Sequence, residues 1–164
     1  MIAAGTGVAV WLLAGGSGSS GSAAPPKDDP VVFLRGIVQG IAANDYELVW
    51  PKLHPAQQRV ATRQVYVRCE QLSPIPGHLD WIRVVRTADE RITVAGDEGV
   101  VDSKAVTFRL RLSEPSLDSA VVVTRTVHAV AVEGHWRWIL TPKRFASYRS
   151  GSCPSAGEPP SASA

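Results

Sequence analysis

Cysteine is almost absent from this chain of 164 residues: Cys69 and Cys153 are the only two. There is no Cys-X-X-Cys pair and no His–Cys cluster, so the ligand spacing of a zinc site and the paired thiols of a redox motif are both missing. No metal and no cofactor is implied. Lysine is scarce as well, with Lys27, Lys52, Lys104 and Lys143 among 17 basic residues. The accompanying bias towards Arg, Ala, Val and Gly is that of a GC-rich genome. An excess of one charge is lacking too. Fifteen acidic residues leave a net +2, too small and too dispersed to argue for a nucleic-acid partner. The longest apolar run, Ile2 to Ala14 (IAAGTGVAVWLLA), falls short of the roughly 20 residues that a spanning helix needs. No internal repeat is visible.

That apolar run has the length of a signal-peptide core and is followed by GGSGSSGSAAPP, a flexible tether. No Lys or Arg precedes it. Leu12-Leu13-Ala14-Gly15 reads like the run-up to a lipobox, but Gly16 stands where the lipidated cysteine would be, which excludes a lipid anchor at this site. Cleavage after Ala23 is one expectation, and a single-span anchor is the other. Residues 1–29 are thus read as a leader or anchor with its linker, 30–153 as one domain and 154–164 as a disordered tail. The expected location is outside the cytoplasm, either extracellular or membrane-anchored. Cys69 and Cys153 are expected to pair there, since such a bond persists only in an oxidising compartment. The alternative is two free thiols, one buried and one in the tail.

Within the domain, Asp28-Asp29-Pro30 opens a helix: an acidic cap, then proline in the first turn. Val31, Leu34, Val38 and Ile41 continue it at helical spacing, with Phe33 and Ile37 widening the stripe. Asn44-Asp45 breaks this helix and starts a second, Tyr46 to Leu53, with Leu48, Val49 and Trp50 as its apolar side. His54-Pro55 opens a third, about Ala56 to Leu72, with Ala61, Val65, Cys69 and Leu72 facing the core. After Ser73-Pro74-Ile75-Pro76-Gly77 the period changes to two. Asp80 to Thr87 and Arg91 to Ala95 read as two strands joined at Ala88-Asp89-Glu90, and Asp97-Glu98-Gly99 reads as a further turn. In Lys104 to Ser113, Val106, Phe108, Leu110 and Leu112 face one way while Thr107, Arg109 and Arg111 face the other. Ser119 to Val132 and Trp136 to Thr141 form a hairpin about Glu133-Gly134. Pro142 to Tyr148 forms a helical turn. Helices followed by an antiparallel meander make an α+β fold, with three N-terminal helices on one face of a strongly curved sheet.

Asn44-Asp45-Tyr46 with Trp50, Leu53 and Pro55, and the closing Gly134-His135-Trp136-Arg137-Trp138-Ile139-Leu140, resemble the second-helix signature and last hairpin of the NTF2-like (cystatin-like) superfamily. A cysteine in the third helix together with the late Ser-Gly-Ser-Cys-Pro resembles small exported actinobacterial members. The resemblance spans about Asp29 to Cys153. It implies a cone between helices and sheet, and a range of roles from steroid isomerases and polyketide cyclases to non-catalytic cell-wall modules, so it sets a menu of functions.

Enzymes of that superfamily place a carboxylate or a histidine in the cone. Asp45, Tyr46, His54, Asp80 and His128 are the groups available here. Asp45 and His54 have sufficient work at helix starts, which leaves Asp80 and His128 as candidate bases. Tyr46, Trp81, Trp136 and Trp138 are candidates to line a ligand cavity, but Trp136 and Trp138 share a face, and closing the core against the first helix is the favoured reading for these two. Arg109 and Arg111 form an exposed basic row that Arg125 or Arg137 would extend; an ordinary solvated face is the favoured reading, with binding of an anionic envelope polymer or protection against sheet aggregation as the functional alternatives. The expectation is a non-enzymatic exported or tethered domain that binds a cell-envelope protein or a small ligand. A small pocket enzyme using Asp80 or His128, and a domain that forms a homodimer or docks through its sheet, are the alternatives.

Overall fold

The computed structural model describes residues 26–75, 77–97, 99–114 and 119–155. The expected leader, all but the end of its linker, and the tail beyond 155 lie outside them. Among the described residues no helix is long and apolar enough to cross a membrane.

Helix α1, Pro30–Ala42, starts as its sequence dictates: the Asp29 carboxylate accepts from the Val31 N–H at 2.7 Å, and Pro30 fills the first turn. Its buried side is Leu34, Ile37, Val38 and Ile41. Asn44 then reverses the chain with φ +57°, a conformation asparagine tolerates better than most residues. Its side-chain oxygen accepts from the Tyr46 hydroxyl and from the Ile75 N–H. The expected second helix is shorter than anticipated. Helix α2, Tyr46–Val49, passes into a 3-10 turn, Trp50–Lys52, because Pro51 has no N–H to continue it. Tyr46 and Val49 face inward, while Leu48 is 64% exposed.

The expected third helix is two helices, α3 (Pro55–Gln58) and α4 (Arg63–Leu72). Thr62 is extended, with ψ 154°, and this resets the helical phase. Spacing counted through Ala61 still places Cys69 inside and Val65 against the core, but it fails at Leu72, which is 71% exposed, and it misses Tyr66, Val67 and Glu70 on the buried side of α4. Gln57 on α3 is fully buried, and both ends of its amide are bonded. Its amide donates to the Ala95 carbonyl, and its oxygen accepts from the Leu140 N–H at 2.7 Å.

Four strands follow, β1 (His78–Thr93), β2 (Val100–Glu114), β3 (Ser119–Val132) and β4 (His135–Trp138), in the antiparallel order β1-β2-β3-β4. β1 is one strand and has no turn at Ala88–Glu90. Those residues pair with β2 as Ala88↔Ala105, Asp89↔Lys104 and Glu90↔Ser103, and Asp89 forms an ion pair with Lys104. Without Gly or Pro, the polar triplet has no reason to leave the ladder. The reversal comes instead between Val94 and Gly99, where Gly96 and Gly99 take φ +87° and +99°. The β3–β4 turn at Glu133-Gly134 has φ +51° and +76°, the left-handed pair that a two-residue hairpin needs. Leu53 bridges β4 at Trp138, which leaves β1 as the open edge of the sheet. Helix α5, Pro142–Arg149, follows a Thr141 cap. The chain is α+β, with five α-helices and a four-stranded antiparallel sheet among the described residues.

Val106, Phe108, Leu110, Val127 and Trp138 pack against α1, α2 and α4 in the main core. A smaller cluster of Val94, Val130 and Ile139 closes the sheet end near α3. Cys69 on α4 and Cys153 beyond α5 form a disulfide across 84 residues, with Cα atoms 5.1 Å apart, inside the range such bonds span. Beside it Glu70 receives both the Arg144 guanidinium and the Tyr148 hydroxyl, all three buried.

Candidate functional site

The space between helices and sheet is occupied by rings. Tyr66 meets Tyr46 and Trp138 edge-on, each with centroids 6.3 Å apart, and Tyr148 at 6.0 Å. All four side chains are at most 3% exposed. The Trp138 indole donates to the Val49 carbonyl at 3.1 Å, so the polar atom of the largest buried residue is satisfied. Burial, with the Glu70 charge nearby, pushes the Tyr46, Tyr66 and Tyr148 phenols up. Burial works against the charge of Arg144, but Glu70 beside it outweighs that and holds the guanidinium above its ordinary range. These groups are a braced, neutral-phenol interior joining α4 to α5.

The four aromatics expected to line a cavity are not together. Tyr46 and Trp138 belong to this interior, and Trp136 sits half-buried at its edge, donating to the Asp28 carbonyl at 2.7 Å. Trp81 is opposite Arg111 in the ladder and so lies on the other face of the sheet, turned away from α1.

Both candidate bases also lie on that face. Asp80 is held by Arg111 at 3.1 Å and by the Ser113 hydroxyl at 2.6 Å, the environment of a structural carboxylate. His128 is buried beside Ala105. Its Nδ1 is 3.2 Å from the Ser103 hydroxyl and 3.9 Å from a Glu90 oxygen. Ser, His and Glu are the ingredients of a nucleophilic triad, yet here both partners approach the same ring nitrogen. A relay needs the acid on one nitrogen and the nucleophile on the other. Burial pulls the His128 pKa down, against the opposing pull of Glu90.

The rest of the face is basic and hydroxylated. Ladder pairs set Arg83 against Arg109 and Arg86 against Thr107, with Thr124 and Thr126 alongside on β3. Arg83 lies over the Trp81 ring at 4.9 Å. Ala88 faces Ala105, and these two short side chains leave a hollow of about 250 Å³ edged by Arg86, Glu90, Thr107, Thr124 and Thr126. The basic row is therefore extended by Arg83 and Arg86, while the two expected members point elsewhere. Arg125 is paired with the core residue Phe108, and Arg137 donates to the Pro51 carbonyl at 2.7 Å. Sequence alternation missed Arg86 because a bulge between Val84 and Arg86 shifts the register, moving an even-numbered residue onto the odd-numbered face. Glu90 and Ser103 were missed because only the register brings them to His128.

A second hollow, of about 300 Å³, opens beside His54, Arg59, Asp97 and Glu133. The His54 Nδ1 accepts from the Ala56 N–H at 3.3 Å, so it caps α3, and its Nε2 is 3.6 Å from Asp97. Burial lowers the His54 pKa, with Asp97 opposing. With Nδ1 committed to the backbone and Nε2 turned to an acid, neither nitrogen is presented to a substrate. Among the described residues no group of three or more His, Cys, Asp or Glu side chains is placed to hold a metal ion. No protein-family model and no curated protein matches this chain.

Proposed function

We propose that this chain is an exported or membrane-tethered, NTF2-like domain without enzymatic activity, and that it binds a component of the cell envelope through the sheet face turned away from α1. The observation that carries the reading is the contrast between the two faces. Where a pocket enzyme of this type would keep its cone, Tyr46, Tyr66, Trp138 and Tyr148 fill the space. The opposite face is open, hollowed and lined by side chains that recognise ligands by charge and hydrogen bonding. The disulfide supports a setting outside the cytoplasm. The order of helices and antiparallel strands supports the NTF2-like assignment.

The test is co-sedimentation of the full chain with isolated cell envelopes. Arg109→Glu, on the open face, is expected to weaken retention about tenfold, the effect of losing one charge-assisted contact. Gln39→Glu, on the exposed side of α1, is expected to change nothing. Equal retention of both variants, or a chain that stays in the cytoplasm with reduced thiols, overturns the reading.

A further inference from the structure

We propose that the hollow on the open sheet face takes an acidic sugar unit of an envelope polysaccharide, a proposal that rests on the envelope-binding reading above. Two features of the face call for an anion. Arg83 and Arg109 stand directly opposite each other in the ladder, a like-charge arrangement that costs stability. No ion pair joins Arg83, Arg86 or Arg109 to a described carboxylate, whereas Arg111 has Asp80. Arg86 edges the hollow, and the Arg83–Arg109 pair lies next to it in the ladder; an oxyanion bound at this end of the hollow would relieve the repulsion and accept paired N–H groups, the geometry arginine offers to carboxylate and phosphate alike.

Two further features specify a sugar. The recess is edged by three threonine hydroxyls, and by Glu90, an acceptor. A surface meant only for charge would gain nothing from a carboxylate and hydroxyls in its recess, but a polyhydroxylated ring needs both acceptors and donors around it. Thr107 and Thr126 are bonded to each other at 2.9 Å, which fixes their orientation while leaving lone pairs to the recess. The arginines continue past the hollow towards Trp81 along β1 and β2, as the binding track of a polymer would. A flat lipid surface would meet a recess with no apolar residue larger than alanine among those edging it.

The experiment is calorimetric titration of the full chain with oligogalacturonate, a sugar carboxylate, and with phosphomannan oligosaccharide, a sugar phosphate. Neutral dextran, phosphatidylglycerol vesicles and a single-stranded oligonucleotide are the controls. Binding of either acidic glycan, at least tenfold tighter than each control, is expected, and the tighter of the two identifies the oxyanion. The double variant Arg86→Gln/Arg109→Gln is expected to lose at least tenfold without any fall in melting temperature, because both side chains are exposed and the Arg83–Arg109 repulsion is removed. Thr124→Val, which alters no charge, is expected to lose several-fold (about threefold or more) through one missing hydroxyl contact. Failure of both glycans, insensitivity to the arginine pair, or vesicle or oligonucleotide binding of equal strength overturns the assignment. If Arg109→Glu still weakens envelope retention while neither glycan binds, the envelope reading stands and the sugar is wrong.

Discussion

His54 has one ring nitrogen committed to the backbone of α3, and that commitment makes it sensitive to acid. Burial, opposed by Asp97, lowers its proton affinity in the folded chain below the ordinary value of about 6.5. The unfolded chain then binds the proton more readily, so stability rises with pH between the lowered value and about 6.5. Its contribution is complete above that window and is lost as pH falls through it. Protonation also converts Nδ1 from acceptor to donor and removes the Ala56 cap. His128, likewise lowered by burial, acts in the same direction. The urea midpoint is expected to fall between about pH 7.5 and about pH 5. His54→Asn, whose side-chain oxygen still caps but does not titrate, should fall less. An equal fall in the variant would place the acid sensitivity on His128. Glu70 is the other residue whose loss is predictable. Glu70→Ala removes the buried carboxylate from Arg144 and is expected to cost about 3–5 kcal/mol in denaturant unfolding. Glu70→Met/Arg144→Met should recover most of that by removing both charges.

At the scale of elements, the positions where reading by period went astray are those where the chain changes phase. The bounds of β3 follow from a β-branched run ending in a Glu-Gly turn, and α1 from its cap and stripe. The split between α3 and α4 leaves no Gly or Pro in the sequence; it shows only in the extended Thr62. The bulges in β1 are equally silent, which is why half of the basic face was legible and half was not. The β1–β2 connection illustrates how tertiary contact adds to local conformation. Gly96 and Gly99 both have positive φ, but a Cβ on Gly96 would lie 2.7 Å from the Phe145 ring on α5, while Gly99 has nothing within 4 Å. Gly99→Ala is expected to cost about 1–2 kcal/mol, from the left-handed conformation alone. Gly96→Ala should cost more, because the Phe145 ring must also move. Thermal unfolding of the two variants compares them directly, and equal losses would mean that α5 yields freely at this contact.

For the molecule as a whole, what was legible is the class of fold and its covalent tie, both written in composition and order. The filled interior was not, since it depends on Tyr66 and Tyr148, whose inward facing follows from the reset phase of α4 and from the docking of α5. The disulfide and the Glu70–Arg144–Tyr148 contacts hold the same junction: each joins α4 to the chain at or beyond α5, and together they close a loop containing all four strands. On the chain-entropy estimate, a closed loop of this length stabilises the fold by about 4–5 kcal/mol. Cys69→Ala/Cys153→Ala is expected to lose about that amount in urea unfolding, as is the wild type with reductant present. The buried ion pair raises a sharper question, because two ties across one junction should not act independently. With the disulfide gone, α5 is free to lift away from α4 once Glu70 is also removed, exposing Tyr148 and relieving the buried Arg144 of its desolvation. The triple variant with Glu70→Ala should therefore lose less than the summed effects, by about 1 kcal/mol or more, as neighbouring sites in one network do. Strict additivity in that cycle would mean that the polar network holds α5 in place whether or not the covalent tie is present.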